Sequence, residues 1–413
     1  MNIKNISVYA DNVSNIYNSS IIYKNLNDKI IQKRIAEKII FNKYPPAITR
    51  MELFLTENCT FHCDYCFAAT KNAYKRMSLN TAKKAIDFLL YESRDSENVE
   101  VIFFGGEPLM EFKMMERIAD YAENIASGRG KNVTYALTTN GSIMSEEIIS
   151  FARKRNFNYL LSIDGDANTH DRHRRKQDGT ETWNLVTGEH LRLLKEQQGW
   201  VGTRMTVMPD TAENLSHNVK TLFSMGINQF LIGQNMDVEW TPFQIDVFIA
   251  EMRKVLDFYL DESAKGSPIR ITDFEETIQQ KREKLSRIWG CDAGRSRVAI
   301  STSGDIYPCS RFVNPYSDMV GKYRLGTIDS GIVNLSSRMD FMSNDMEKRL
   351  KCAECDQREL CAGGCPGVNL HLMGNIFDPA PISCAISRMW NNLIGLAEKK
   401  REGINPFNDN VLV

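Results

Sequence analysis

Between positions 51 and 264 the apolar residues of this chain alternate between two periods. Short runs rich in Val, Ile, Leu, Phe and Thr read as strands at 51–56, 99–104, 133–137, 159–163, 203–208 and 229–232. Segments with helical periodicity lie between them, at 81–91, 111–126, 144–155, 184–196 and 211–224, and a longer one spans 242–261. Strands alternating with helices imply an α/β fold with a parallel sheet and right-handed crossovers. Six such units fit a partial (β/α)6 TIM-like barrel.

The pattern changes on both sides of that region. Residues 1–47 are rich in Asn, Ile and Lys, and a helix-like stretch from about 27 to 41 ends before Pro45-Pro46. Residues 265–290 are charged and read as a bridge. From Cys291 to about 390, Gly, Cys and Pro punctuate short segments, and 391–413 form a C-terminal tail. The expected units are therefore an extension (1–47), a barrel (48–264), the bridge, and a Cys-rich domain (291–390) with its tail.

Composition narrows the function classes. With 51 basic against 52 acidic residues the net charge is −1, which gives no global field for nucleic acid. The first residues lack the apolar core of a secretory signal, and no apolar run reaches the ~20 residues of a membrane span. The sequence reading is a cytoplasmic protein with no membrane or nucleic-acid partner. Ten cysteines are too many for chance and too unevenly placed for a disulfide framework, since none falls between Cys66 and Cys291.

Three of them stand in eight residues, Cys59-Thr-Phe-His-Cys63-Asp-Tyr-Cys66, followed by Phe67. Three thiolates from one loop can hold three irons of a cubane and leave the fourth open, whereas an electron carrier is normally closed by four. The alternative is a zinc knuckle with His62 as a ligand, although adjacent residues close one tetrahedron poorly. Further motifs follow successive strands: Gly105-Gly106-Glu107-Pro108, then Thr138-Thr139-Asn140-Gly141, then Ser162-Ile163-Asp164-Gly165. Paired glycines permit close backbone approach, and the short polar side chains can meet hydroxyls. In a parallel barrel these loops share the ligand-binding face.

The three-cysteine spacing and the motif order resemble the radical SAM superfamily, whose fold is a partial (β/α)6 barrel. By that resemblance Cys59, Cys63 and Cys66 bind a 4Fe–4S cluster that presents S-adenosylmethionine (SAM). The Gly105–Pro108 motif meets the amino group of SAM, with Glu107 accepting from the ammonium. Asn140, Ser162 and Asp164 contact the rest of SAM, and Arg174 or Arg204 pairs with its carboxylate or with a substrate acid. Arg174 belongs to a stretch, His170-Asp171-Arg172-His173-Arg174, that matches the HDxxR pattern of peptide-modifying members. His170 and His173 are expected to orient that loop.

The later cysteines run Cys291, Cys309, Cys352, Cys355, Cys361, Cys365 and Cys384. They resemble the SPASM extension, which carries auxiliary 4Fe–4S clusters. Cys352, Cys355, Cys361 and Cys365 alone would suit a zinc ribbon, but three cysteines would then lack a role. The family's interleaved ligation implies one closed cluster on Cys352, Cys355, Cys361 and Cys384. A second cluster on Cys291, Cys309 and Cys365 then lacks a fourth cysteine, because Leu285 occupies the place where some members supply it.

The resemblance implies three clusters, SAM, an electron donor such as flavodoxin or ferredoxin, and a precursor peptide as substrate. A 5′-deoxyadenosyl radical would take a hydrogen from the peptide, and an oxidative crosslink (thioether, C–C or C–O) would follow. Residues 1–47 are too few for the usual leader-binding module and read as a reduced form of it or a helix covering the barrel. One departure separates subfamilies. Anaerobic sulfatase maturases carry a catalytic aspartate directly after the second tail cysteine, where this chain has Ser310. Asp305 and Asp292 are the acids nearest in sequence. Formylglycine formation on a Cys or Ser remains the alternative, with a non-catalytic iron–sulfur or zinc protein as a further one.

Overall fold

The computed structural model describes residues 45–68, 75–198, 200–282, 291–313, 321–342, 349–357, 361 and 363–401. The helix expected at 27–41 and position 285 lie outside the described residues. The sheet strands are β1 (Arg50–Thr56), β2 (Asn98–Gly105), β3 (Asn132–Thr139), β4 (Asn158–Ser162), β5 (Gly202–Val207) and β6 (Gln229–Gln234). All six expected strands are present and pair in parallel in chain order. Between and after them come α1 (Leu79–Glu92), α2 (Phe112–Ser127), α3 (Glu146–Lys154), α4 (Ala167–His173), α5 (Leu191–Gln198), α6 (Leu215–Ser224) and α7 (Pro242–Ala264).

Local chemistry starts these helices where the periodicity places them. Ser78 and Ser145 accept from the amides of Thr81 and Ile148 to cap α1 and α3. Thr241 and Gln244 form a reciprocal capping box at α7, with Pro242 in its first turn. The helix expected over 184–196 is interrupted, because Gly188 adopts a non-helical ψ of −121° between a short turn and α5.

Two differences concern the bridge and the tail. Arg270–Ile271 form β7, parallel to β6, and Thr272–Arg282 form α8, so the charged segment continues the sheet by one more unit. A two-residue strand carries no readable period. In the tail, β8 (Arg297–Ile300) pairs in parallel with β1, and β9 (Asp305–Tyr307), β10 (Gly326–Thr327) and β11 (Gly331–Ile332) extend it antiparallel. The result is one eleven-stranded sheet in the order β11-β10-β9-β8-β1-β2-β3-β4-β5-β6-β7.

Alternate strand residues pack under the helices. Met51, Leu53, Leu55, Val101, Phe103 and Leu161 join Ala82, Ile86, Ile118 and Ala122 in the main core. The opposite face of β1 carries Glu52, Phe54 and Thr56. The longer helices among the described tail residues are α9 (Leu335–Met342), α10 (Pro366–Met373) and α11 (Pro381–Arg401). The last returns to the barrel, setting Trp390 edge-on to Phe274 at 5.2 Å. Among the described residues no helix is long and apolar enough to cross a membrane.

Candidate active site

The three-cysteine loop leaves the carboxyl end of β1 and is tied down by neighbouring strand ends. The Tyr65 hydroxyl donates to Asp164 Oδ2 at 2.6 Å, after β4. His173 bridges two acids, Asp64 of the loop at 2.9 Å and Asp210 after β5 at 3.0 Å. The His62 amide donates to the Arg175 carbonyl at 2.6 Å. After β3, Asn140 Nδ2 donates to Thr60 Oγ1 at 2.9 Å and reaches Cys59 Sγ at 3.4 Å. The Phe61 amide also points at Cys59 Sγ, at 3.4 Å. Donors aimed at sulfur suit a thiolate that ligates a cluster.

Gly105 and Gly106 face the loop's own backbone. A Cβ at Gly105, where φ is +131°, would lie 2.2 Å from the Thr56 carbonyl oxygen, and one at Gly106 would lie 2.0 Å from that of Asn58. The amides of Gly106 and Glu107 donate to those two carbonyls at 2.9 Å each. Their bareness therefore brings the end of β2 against the root of the cysteine loop. Pro108 opens a short 3-10 turn capped by Glu107. The buried Glu107 carboxylate accepts from Thr139 Oγ1 at 2.9 Å and from the amides of Asn140 at 2.8 Å and Leu109 at 3.0 Å. Burial raises this carboxyl to about 7, against the pull of those three donors. Glu107 thus locks the loops after β2 and β3 together, using three of about four acceptor positions.

Asp164 and Arg174 hold one another. The guanidinium donates to the carboxylate through Nε at 2.7 Å and Nη2 at 3.0 Å, and the side chains are only 2% and 7% exposed. Asp164 also accepts the Thr206 amide at 2.7 Å. Burial alone would raise the Asp164 carboxyl, but Arg174 and the Tyr65 hydroxyl hold it below the ordinary range. With four donors on one carboxylate and a bidentate guanidinium, this pair ties the loops after β1 and β4 to β5. His170 is fully buried beside them, its Nε2 3.1 Å from Thr182 Oγ1. Burial lowers its imidazole to about 4, so it is neutral at physiological pH.

Arg204 differs. It stands opposite the buried Ser162 in the β4–β5 register and lies over Gly233 of β6, where a Cβ would be 2.5 Å from Arg204 Nη2. Among the described residues its guanidinium makes no hydrogen bond or close ion pair, but the Asp273 carboxylate acts on it electrostatically. The sheet therefore sets a buried cation beside a serine, with Asp273 as its nearest acid partner.

The ten thiols fall into three groups. Cys59, Cys63 and Cys66 act on one another electrostatically in the loop. Cys352, Cys355, Cys361 and Cys384 line one cavity of about 220 Å³. Cys309 has Cys365 and Cys291 as charged neighbours. Folding thus brings Cys365, distant in sequence, within electrostatic reach of Cys291 and Cys309. Burial pushes the Cys59 and Cys63 thiols up to about 12 and Cys291 to about 11. A metal that replaced the proton would offset that cost, although among the described residues no group of three such side chains is placed to hold a single metal ion. The donor chemistry of Cys59, Cys63 and Cys66, three thiols on one loop, suits three irons of a cubane.

The acids near the second tail cysteine are already engaged. Asp292 pairs with Arg297 at 3.3 Å and Arg50 at 3.4 Å, and Asp305 with Arg324 at 3.0 Å. Asp305 also accepts from Ser303 Oγ at 2.8 Å. The sequence reading missed Glu52. It is 6% exposed on β1, and its Oε2 accepts the Ser310 amide at 2.6 Å. Burial raises its carboxyl, opposed by Arg297 and Ser310. The available signal was a glutamate inside an otherwise apolar strand.

An open parallel sheet with a three-thiol loop at the carboxyl end of its first strand defines a radical SAM domain. Residues 53–222 match the family model "Radical SAM superfamily", so that segment is a radical SAM domain, and the chain's relatives are enzymes. It is 23% identical to "Radical SAM cyclopropyl synthase TigE" of Paramaledivibacter caminithermalis over 89% of this chain and 78% of that protein. It is 22% identical to "Cysteine-type anaerobic sulfatase-maturating enzyme" of Clostridium novyi over 75% of this chain and 85% of the relative. The structure "Native anSMEcpe with bound AdoMet and Kp18Cys peptide" superposes with a TM-score of 0.69 at 18% identity, covering 85% of this chain and 99% of that one. That likeness establishes the fold.

Proposed function

We propose that this enzyme matures a ribosomally made peptide, abstracting a hydrogen and closing a thioether, C–C or C–O bond oxidatively. The observation that carries this reading is Ser310. It fills the position after Cys309 where a sulfatase maturase would hold its aspartate, and its amide is tied to buried Glu52. Asp292 and Asp305 are held by arginines. The relative named for cyclopropyl synthesis, aligned over 89% of the chain, supports a bond-forming outcome.

In this proposal Cys59, Cys63 and Cys66 hold the first 4Fe–4S cluster. The backbone of Gly105–Pro108, with Asn140, Ser162 and Arg204, receives SAM. Arg204 takes its carboxylate, while Glu107, Asp164 and Arg174 keep the surrounding loops in place. Cys352, Cys355, Cys361 and Cys384 hold a second cluster, and Cys291, Cys309 and Cys365 a third. When bound, these cofactors supply hydrogen-atom abstraction at an unactivated carbon and an outlet for the second electron. A flavodoxin or ferredoxin would deliver the reducing electron.

Formylglycine formation is the second reading, favoured by the match to 99% of a sulfatase-maturase chain with bound peptide. Parallel incubation of the reconstituted enzyme with Cys- and Ser-type sulfatase peptides and with short peptides encoded beside its gene separates the two. Aldehyde on a sulfatase peptide would overturn the crosslinking proposal.

A further inference from the structure

Arg311 touches segments that carry thiols from two different groups. It lies two residues after Cys309 in the chain. Its guanidinium carbon sits 4.8 Å from the ring centre of Phe67, the residue that follows Cys66. That ring in turn stacks on Phe104 of β2, 6.4 Å between centres. The Arg311 stem lies on Gly367, two residues after Cys365, where an added Cβ would come within 2.9 Å of Arg311 Cβ and 3.0 Å of its Cδ. Nη1 donates to both oxygens of Asp237, after β6, at 2.8 and 2.9 Å.

We propose that Arg311 is a positioning residue that sets the Cys291/Cys309/Cys365 site in register with the three-cysteine loop and holds a cation between them. The inference rests on the reading that both thiol sets carry iron–sulfur clusters. A planar guanidinium suits this place better than an ammonium. One nitrogen grips a carboxylate while the flat face lies on an aromatic ring, and Lys has no such face. The absence of a side chain at Gly367 leaves room for the stem. A cation between two anionic thiolate clusters favours the reduced form of each, because it offsets the added negative charge.

The test uses the full chain, anaerobically reconstituted with iron and sulfide and reduced with dithionite. Iron per chain, the midpoint potential of the tail cluster and the magnetic coupling between reduced clusters are followed by electron paramagnetic resonance. Arg311→Met should keep its iron, lower the potential, and change the coupling as the two sites lose register. Arg311→Lys should restore the potential because the charge is kept, but not the coupling, because the flat contact with the Phe67 ring is lost. Asp237→Asn loosens the grip, taking away the charge and one acceptor oxygen without altering the tail. It should shift the coupling in the same direction by less, and it serves if Arg311→Met fails to load iron. Wild-type potential and coupling in iron-replete Arg311→Met, or unchanged coupling in Asp237→Asn, would overturn the inference. Wild-type protein binding only the iron of one cluster would instead sink the reading beneath it.

Discussion

The cysteine loop after β1 and the Cys-rich tail gather thiols in opposite ways. The loop draws three from eight consecutive residues and depends on side chains from β3, β4 and β5 ends only to hold its shape. The tail draws seven from positions 291 to 384, and its groups cross one another: Cys365 sides with Cys291 and Cys309, while Cys384 joins Cys352, Cys355 and Cys361. One site is thus built by local spacing and the other by tertiary folding. The tail is also not separate from the barrel, because β8 pairs with β1 and α11 packs back on it. Damage to the loop should stay local, whereas damage to the tail should spread within it.

The largest expected effect breaks the loop. Cys63→Ala should abolish 5′-deoxyadenosine formation while the tail keeps its iron, about eight of about twelve per chain if three cubanes form. Loss of all iron would erase the distinction between the regions. Next, Cys355→Ala should leave some SAM cleavage but stop peptide product, read by chromatography of both products from one reaction. Equal loss of both in a folded protein would show that the two sites do not act separately.

Gly106→Ala probes how the loop is seated. Its new Cβ meets the Asn58 carbonyl at 2.0 Å, so the loop must shift, and SAM cleavage should fall by about tenfold or more with tail iron unchanged. Asp164→Ala strands the buried Arg174 cation and should cost about 3–5 kcal/mol in chemical unfolding. The Asp164 carboxyl is held below its unfolded value, so the pair stabilises above about pH 4 and that contribution fades as pH falls further. Wild type should therefore lose more stability than Asp164→Ala on acidification. The smallest effect lies at the exposed Lys84–Asp329 contact between α1 and the tail. Lys84→Ala should change stability by less than about 1 kcal/mol.

The same contrast explains what the sequence could reveal. Strands β1 to β6 and the motifs after them are legible because each depends on a period or spacing within a few residues. The β8–β1 pairing joins residues nearly 250 positions apart and leaves no local trace. β7 is too short to show alternation. The Gly-Gly-Glu-Pro and Ser-x-Asp motifs were visible, but not that Glu107 and Asp164 spend their oxygens on the protein itself. That distinction needs the partners, which come from other strands. That Arg174 is bound to Asp164 while Arg204 makes no close ion pair is likewise visible only in the fold. Glu52 and Arg311 gain meaning only when β1, the β6 loop and the tail are brought together.

The central claim is an oxidative, bond-forming peptide modification. Its most direct test is high-resolution mass spectrometry of precursor peptides encoded beside the gene, after incubation with reconstituted enzyme, SAM and dithionite. The account predicts a peptide lighter by the mass of two hydrogens, with no aldehyde reactivity and with 5′-deoxyadenosine formed alongside. An aldehyde on a sulfatase peptide, with the precursor peptides unchanged, would contradict it.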